Sequence, residues 1–189
     1  MTDTPTSSSL SRSTSPSTSL ATSLPAPRHE GRYRVAMVCL GNICRSPVAD
    51  VVFSERVAAA GLADRVEVVS AGTADYHVGK PMDPRAAQSL TTAGYDPSRH
   101  RAQQFQAVWH DEADLILVMD NSNLADVRGL GDGGEPERVR LFRDFDPDFP
   151  GGEVPDPYYG GEEGFGEVLS MVERTSAHLV ELVAGVVTR

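Results

Sequence analysis

The chain has 189 residues, 40% of them hydrophobic, and a formal net charge of −10 at pH 7. This is enough apolar material for one globular domain with a substantial core. The acidic balance argues against a nucleic-acid partner, because binding to nucleic acid needs a basic face. No run of about 18 apolar residues predicts a membrane span, so we expect no membrane partner and a cytoplasmic location.

The cysteines and histidines exclude two further classes of protein. Cys39 and Cys44 are the only cysteines and lie five residues apart, unlike the framework of a disulfide-bonded secreted domain. The histidines, at positions 29, 77, 100, 110 and 178, lack the spacing of metal ligands. We therefore predict a reduced protein with no metal and no other cofactor.

The first 30 residues differ in composition from the rest of the chain. They are rich in Ser, Thr and Pro, with too few apolar side chains to offset the entropy lost on ordering. They also lack the basic start and apolar centre of a signal peptide. We predict a disordered tail over residues 1–30 and one domain over residues 31–189.

Strand and helix signals alternate through the predicted domain. Strands are predicted at residues 33–38, 66–70, 113–119 and 139–142, and helices at residues 47–60, 83–94, 120–128 and 165–186. Asp83 and Asp120 are the predicted caps of the second and third of these helices. The run at 113–119 is continuously apolar, which is typical of a central parallel strand buried on both faces. Residues 143–163, rich in Asp, Pro, Gly and Tyr, form a long connection of the kind that is often functional. The order of elements predicts an α/β fold with a parallel sheet.

The segment between the first strand and the first helix carries the strongest chemical signal. Its backbone amides, with no side chain at Gly41, can turn inward around an anion at a helix N-terminus. Cys39 is expected at the floor of this anion site, where the amides, the helix dipole and Arg45 favour the nucleophilic thiolate. The Arg45 guanidinium can bind two phosphate oxygens at once. Ser46 and Pro47 are residue types of a helix cap and first turn.

The alternative interpretation of this segment is structural, with Cys39 a small buried hydrophobe and Arg45 a surface charge. The Cys-x5-Arg-Ser spacing alone is only moderately specific. The preceding strand, Gly41 and the Ser-Pro helix start favour phosphate chemistry, because a motif gains weight from its context.

A phosphate ester with a poor leaving group needs an acid that protonates the departing oxygen. Asp156 stands between two prolines of fixed φ and precedes two tyrosines. The same loop offers other candidates, since Asp and Pro are also ordinary turn residues. These are Asp144, Asp146 and Asp148.

The loop over residues 71–81 follows the second strand and should overlook the same edge of the sheet. Tyr76 and His77 are candidates for one wall of a substrate cleft. The alternative is that both are ordinary surface residues of a loop.

Four motifs in order resemble those of the low molecular weight protein tyrosine phosphatases, bacterial type. They are Cys39-Leu-Gly-Asn-Ile-Cys-Arg-Ser46, Ser70-Ala-Gly-Thr73, Val118-Met-Asp-Asn-Ser-Asn123 and Asp156-Pro-Tyr-Tyr159. The resemblance covers about residues 32–187. It implies a three-layer sandwich with a four-stranded parallel sheet, order 2-1-3-4, and helices on both faces. It also implies hydrolysis of phosphotyrosine in partner proteins, and of small aryl phosphates, through a phosphocysteine.

The resemblance assigns roles to particular residues. Cys39 resembles the family nucleophile, Arg45 its phosphate-binding arginine and Asp156 its general acid. The rest of the phosphate loop comprises Leu40, Gly41, Asn42, Ile43, Cys44 and Ser46. Asn42, Ser46 and Ser70 resemble the polar residues that shape this loop and support the thiolate, with His100 in the same network. Tyr76, Tyr158 and Tyr159 match positions that flank the cleft.

Three other functions remain open on the same scaffold. A thiol-dependent arsenate reductase needs further cysteines after the second strand, which this chain lacks. A protein-arginine phosphatase tends to carry Thr where Ile43 stands. The third alternative is a non-catalytic phosphotyrosine-binding module, which has no need to combine Cys39, Arg45 and Asp156.

Two hypotheses concern regulation. Cys44 can trap a sulfenic acid formed on Cys39 as a disulfide, or it can be a buried spacer. Tyr158 and Tyr159 make a tyrosine kinase a candidate partner.

Overall fold

A computed structural model of the protein describes residues 23–188. Strands and helices alternate along this part of the chain. They are β1 (Tyr33–Cys39), α1 (Arg45–Ala59), β2 (Val66–Gly72), α2 (Pro84–Thr92), α3 (Trp109–Glu112), β3 (Leu115–Val118), α4 (Asn121–Arg128), β4 (Val139–Leu141) and α5 (Glu162–Val187). Only α3 was not predicted, because four residues are too few to show a helical period.

The strands form one parallel sheet in the order β2-β1-β3-β4. This confirms the predicted fold class and strand order. The chain runs outward from β1 to β2 and then returns to the other side of β1 for β3. The carboxyl ends of β1 and β3 therefore lie at a topological switch point, where open α/β sheets bind their ligands.

Helices cover both faces of the sheet, as predicted. Val35 and Met37 of β1 join the core formed with α1, α2 and α5. Ala36 and Val38 point to the opposite face and pack with residues of α3 and α4. This alternation follows from the two-residue period of a strand. No helix within residues 23–188 is long and apolar enough to cross a lipid bilayer.

Two of the three predicted helix caps are confirmed. The side chains of Asp83 and Asp120 accept hydrogen bonds from backbone amides in the first turns of α2 and α4. The cap predicted at Ser46 is wrong, because α1 begins at Arg45, two residues before the predicted start, and its N-cap is Cys44, which forms no side-chain cap. Ser46 therefore lies inside the first turn, with its hydroxyl free to serve the preceding loop.

The predicted tail extends only partly into the described residues. Residues 1–22 lie outside them, whereas residues 23–30 pack under the sheet. The Arg28 guanidinium donates to the carbonyl oxygens of His110 and Ala113 at 2.8 and 3.1 Å. The Tyr33 hydroxyl donates to the carbonyl oxygen of Pro25 at 3.2 Å. Contacts with the domain thus begin before the predicted boundary at residue 30.

The long connection from β4 to α5 is held at defined points. Asp146 is 1% exposed and accepts hydrogen bonds from Arg143 at 2.9 Å and from Arg174 of α5 at 2.7 Å. Burial alone would raise the pKa of Asp146, but these two guanidinium groups hold it well below its usual range. Further along, the Val154 amide donates to the carbonyl oxygen of Met119 at 2.7 Å. The residues just before Asp156 are thereby fixed to the end of β3.

Candidate active site

The loop between β1 and α1 is anchored from outside through its carbonyl oxygens. Neighbouring segments supply four donors: Thr73 N to Cys39 O at 2.8 Å, Ala74 N to Leu40 O at 2.9 Å, His100 Nε2 to Asn42 O at 2.7 Å, and Asp83 N to Ile43 O at 2.8 Å. A peptide carbonyl and the following amide point in opposite directions. These anchors therefore turn the loop amides toward the interior of the loop.

Within the described part of the chain, the loop amides are unpaired. Across the described residues, none of the backbone N–H groups from Gly41 to Ser46 donates a hydrogen bond to another protein atom. Native proteins leave very few such donors unpaired unless water or a ligand meets them. Asn42 adopts a left-handed conformation with φ 52°, as in the backbone nests that bind anions. The row of donors ends at the N-terminus of α1, which also favours negative charge.

We call the loop with its unpaired amides from Gly41 to Ser46 the cradle. Cys39 lies at the floor of this cradle with 2% of its surface exposed. Its Sγ is 3.0 Å from the hydroxyl oxygen of Ser46, which receives a 2.8 Å hydrogen bond from the Asn42 side chain. The carbonyl oxygen of Ala71 lies 3.2 Å from the same hydroxyl. The single hydroxyl proton can go either to this carbonyl or to the sulfur. A negative charge on the sulfur would favour the second arrangement.

Arg45 stands beside the cradle with its side chain 3% exposed. One terminal nitrogen donates to Asp120 at 2.5 Å, and the other donates to Asp156 at 2.8 Å. Its Nε is buried and has no partner among the described residues. Burial alone would lower the pKa of this guanidinium, but the charges of Cys39, Asp120 and Asp156 raise it. Arg45 thus remains a cation, and its Nε–H is available to an anion.

Asp120 was recognised from sequence only as a helix cap. It serves both the helix and the site, since one carboxylate oxygen caps α4 at the amide of Asn123 and the other holds Arg45. Its place directly after a buried strand was the available signal, because residues at the carboxyl ends of parallel strands face the ligand. The partner of Arg45 was not predictable from local pattern.

Of the four aspartates in the long loop, Asp156 is the one that reaches the cradle. Its second carboxylate oxygen accepts from the Tyr158 amide at 3.1 Å, and its side chain is 38% exposed. The three alternatives pair with arginines elsewhere: Asp144 with Arg140, Asp146 with Arg143 and Arg174, and Asp148 with Arg174. The geometry therefore favours Asp156 over them as the acid.

The residues expected to support the loop form a network with two unforeseen members. His100 holds the Asn42 carbonyl, and the Gln103 amide donates to the Asn42 side chain at 3.0 Å. Within the described residues Ser70 forms no hydrogen bond with Cys39; its hydroxyl donates to Asp50 at 2.8 Å. Ser70 thus supports the loop only from a distance. Gln103 and Asp50 carry no sequence signal that would have identified them.

Two groups of this network have displaced pKa values. Burial raises the pKa of Asp50 to about 6, against hydrogen bonds from Ser70 and Ser54 that lower it. Burial lowers the pKa of His100, although its hydrogen bond to Asn42 opposes this. His100 is therefore neutral at pH 7, with its proton on the nitrogen that faces the carbonyl.

The cleft above the cradle has a volume of about 310 Å³. Besides loop residues and Asp156, its walls include Tyr76, His77, Tyr158 and Tyr159. The rings of Tyr158 and Tyr159 meet edge to face with centroids 5.0 Å apart. The structure thus brings the three predicted cleft tyrosines to one opening. Within residues 23–188, no group of three His, Cys, Asp or Glu side chains is arranged to hold a metal ion.

Cys44 also borders the cleft, and both cysteines are free and buried. Burial, with smaller contributions from Asp83 and Cys39, raises the pKa of Cys44 to about 12. Cys44 is therefore a neutral thiol near pH 7. The proposed disulfide between Cys39 and Cys44 stays a prediction.

Comparisons with known proteins agree on one family. Residues 34–187 match the model of the low molecular weight phosphotyrosine protein phosphatases. The low molecular weight protein-tyrosine-phosphatase of Streptomyces coelicolor is 47% identical over 154 residues, covering 80% of this chain and 93% of the relative. Low molecular weight protein-tyrosine phosphatase A of Mycobacterium tuberculosis is 44% identical over 141 residues, covering 74% and 84%.

Solved structures show the same likeness. The crystal structure of a protein tyrosine phosphatase from Entamoeba histolytica, with Hepes in the active site, gives a TM-score of 0.75 at 31% identity, covering 81% of this chain and 97% of that one. YfkJ from Bacillus subtilis gives a TM-score of 0.77 at 29% identity, covering 84% and 98%.

The fold and the unpaired loop amides define an α/β protein with a candidate anion site, and the comparisons give its family. The chain belongs to the low molecular weight phosphotyrosine protein phosphatase family. It is a hydrolase of the protein-tyrosine-phosphatase type, and its substrates are phosphoproteins. The predicted family and enzyme class are confirmed.

Proposed function

We propose that Cys39 is the nucleophile, that Arg45 binds the phosphoryl group, and that Asp156 acts first as acid and then as base. One observation carries this assignment. Cys39, Arg45 and Asp156 line one cleft together with the phosphate loop, whose amides have no protein acceptor within residues 23–188. The three groups supply a nucleophile, charge stabilisation and proton transfer, which are the needs of phosphate ester hydrolysis.

In the first step the Cys39 thiolate attacks phosphorus. A sulfur–phosphorus bond forms and the phosphorus–oxygen bond to the tyrosine ring breaks. The Asp156 carboxyl gives its proton to the departing phenolic oxygen, so that tyrosine leaves as a neutral alcohol. Arrival of the phosphate dianion draws Arg45 away from Asp156, which frees the carboxyl to face the leaving oxygen.

In the second step water attacks the phosphocysteine. The Asp156 carboxylate takes a proton from this water, the sulfur–phosphorus bond breaks, and inorganic phosphate leaves with the Cys39 thiolate restored. In both steps the loop amides and Arg45 stabilise the charge on the equatorial oxygens. Asp120 still holds the Arg45 guanidinium while Asp156 gives up or accepts a proton.

The walls of the cleft favour an aromatic ester. Rings of Tyr76 and Tyr158, together with the side chains of Leu40 and Ile43, offer apolar surface to a ring, whereas a serine phosphate would bury no comparable area. The apolar Ile43 also argues for phosphotyrosine over phosphoarginine. We further propose a cytoplasmic location, which suits two free thiols.

We also propose Tyr158 or Tyr159 as the target of a tyrosine kinase. Tyr159 is 95% exposed, so a second enzyme can reach its hydroxyl.

The assignment is tested by hydrolysis of 4-nitrophenyl phosphate and a phosphotyrosine peptide, with and without dithiothreitol. Cys39→Ser should be inactive yet still bind phosphate, because the amide cradle remains. Asp156→Ala should lower kcat/KM by about a hundredfold or more. Asp148→Ala, in the same loop but facing Arg174, is the matched control and should stay active.

Three results would contradict the assignment. Turnover of an aryl phosphate by Cys39→Ser would remove Cys39 as nucleophile. Full activity of Asp156→Ala would remove Asp156 as acid. Thiol-dependent reduction of arsenate by the wild type, without ester hydrolysis, would establish the arsenate reductase instead.

A further inference from the structure

Arg85, near the start of α2, lies between the phosphate loop and the loop that carries Asp156. Its Nε and Nη2 atoms donate to the two carboxylate oxygens of Asp83 at 3.1 and 3.0 Å. The Asp83 amide in turn donates to the Ile43 carbonyl oxygen of the phosphate loop at 2.8 Å. One face of the guanidinium fork is thus fixed relative to the cradle.

The other side of the same fork holds the loop that carries Asp156, which we call the acid loop. Nη2 of Arg85 donates to the Tyr158 carbonyl oxygen at 3.1 Å, and Nη1 donates to the Gly160 carbonyl oxygen at 3.4 Å. The guanidinium carbon also lies 5.7 Å from the centre of the Tyr158 ring and 4.6 Å from that of Phe165. Arg85 therefore restrains the residues that immediately follow Asp156.

The acid loop needs such a restraint because it supplies few backbone bonds of its own. Pro155 and Pro157 have no amide hydrogen to donate. The Asp156 carboxylate is aimed by a single local contact, the hydrogen bond from the Tyr158 amide at 3.1 Å. Tyr158 bonds in both directions, since its carbonyl oxygen accepts from Arg85 and its amide donates to Asp156. Arg85 therefore restrains Asp156 through Tyr158.

We propose that Arg85 is a positioning residue, which sets the place of the Asp156 carboxyl relative to the cradle by bridging Asp83 to the Tyr158 and Gly160 carbonyls. The proposal rests on the role given to Asp156 above. Arginine suits this position because its planar fork presents several donors in fixed directions, whereas lysine offers one compact charge.

The effect of Arg85 on the placement of Asp156 can be measured by varying the leaving group of the substrate. A well-placed acid makes the rate of the first step nearly independent of how poor the leaving group is, because proton transfer neutralises the departing oxygen. A misplaced acid leaves good leaving groups little affected and slows poor ones. General loss of folded enzyme, by contrast, lowers all rates by one factor.

The experiment measures kcat/KM for a series of aryl phosphates, from 4-nitrophenyl phosphate to phenyl phosphate, whose leaving group resembles tyrosine. Arg85→Ala should lower kcat/KM about tenfold for phenyl phosphate and at most about threefold for 4-nitrophenyl phosphate. Arg85→Lys, which keeps the charge, should fall between the wild type and Arg85→Ala. The double variant Arg85→Ala, Asp156→Asn should show the same leaving-group dependence as Asp156→Asn alone, since the two residues act as a unit.

Arg128→Ala is the matched control. Arg128 also donates to two carbonyls, that of Pro136 in the loop before β4 and that of Val139 at the start of β4. Both lie remote from Asp156, so the leaving-group dependence of Arg128→Ala should equal that of the wild type. A uniform fall for both Arg85 variants would overturn the positioning role, and so would a steepened dependence in Arg128→Ala. If Asp156→Asn itself shows no change of dependence, the proposed function fails instead.

Discussion

Asp50 is a carboxylate of α1 that serves the network behind the phosphate loop. It accepts hydrogen bonds from Ser70 at 2.8 Å and from Ser54 at 3.3 Å, yet burial raises its pKa to about 6. The corresponding value in an unfolded chain is about 3.9. Since the folded pKa lies above the unfolded one, the stabilisation from Asp50 is fully present below about pH 4 and is lost as the pH rises through 6.

Replacing this carboxylate tests the sign of its contribution. Asp50→Asn keeps an acceptor for Ser70 and removes the charge, so it should raise the free energy of unfolding at pH 7 by about 2 kcal/mol. Urea denaturation of both proteins from pH 4 to pH 7.5 should show the two curves converging toward low pH. Asp64→Asn, an exposed aspartate before β2, is the control, and parallel curves for Asp50→Asn and the wild type would contradict the prediction.

At the scale of elements, the end of β2 sets the shape of the phosphate loop. A Cβ atom on Gly72 would lie 2.6 Å from the Leu40 carbonyl oxygen and 3.0 Å from the Asn42 amide. Such distances require one backbone to move. The glycine of the motif Ser70-Ala-Gly-Thr73 is therefore needed for the close approach of a strand to the loop.

Gly72→Ala should displace the loop and weaken phosphate binding. We expect kcat/KM to fall by about tenfold or more, since small misplacements of catalytic groups are costly, and the inhibition constant of inorganic phosphate to rise. Gly166→Ala makes the same chemical change inside α5, where nothing lies within 4 Å of the added carbon. It should keep full activity and gain about 0.5–1 kcal/mol of stability, whereas a fully active Gly72→Ala would refute the argument.

At the scale of the whole molecule, the family match begins at residue 34, but ordered contacts begin earlier. Residues 23–30 form a strap beneath the amino ends of the strands. The Arg28 amide donates to Asp114, its guanidinium donates to two carbonyls, and it pairs with Glu135 at 2.9 Å. The cleft lies at the opposite, carboxyl ends of the strands, so the strap should affect stability and leave catalysis unchanged.

Arg28→Ala should lower the free energy of unfolding by about 1–2 kcal/mol, because it leaves buried carbonyls without donors. The kcat/KM for 4-nitrophenyl phosphate should not change. Thermal and urea unfolding measure the first effect. Arg32→Ala serves as the control, because Arg32 is exposed and its ion pair with Glu67 is long, at 4.0 Å. A loss of activity with unchanged stability would show that the strap communicates with the site.

Local pattern determined much of the architecture. The periods of two and 3.6 residues, with the caps at Asp83 and Asp120, placed all four strands and every helix except α3. These signals work because burial and backbone conformation repeat within one element. The segment from Cys39 to Ser46 likewise announced an anion cradle by its own residue types. The strand order and the individual catalytic roles came from the family resemblance rather than from periodicity.

Only the tertiary structure decided which distant groups meet. Arg45 contacts Asp120 and Asp156, which are 75 and 111 residues further along the chain, and no local period relates such positions. Ser70 proved to face Asp50, and Arg85 to bridge two loops, because side-chain direction depends on how elements pack. The sequence by itself thus determined the elements and the chemistry of the cradle. Packing of the sheet and its loops decided which acid and which supporting residues reach it.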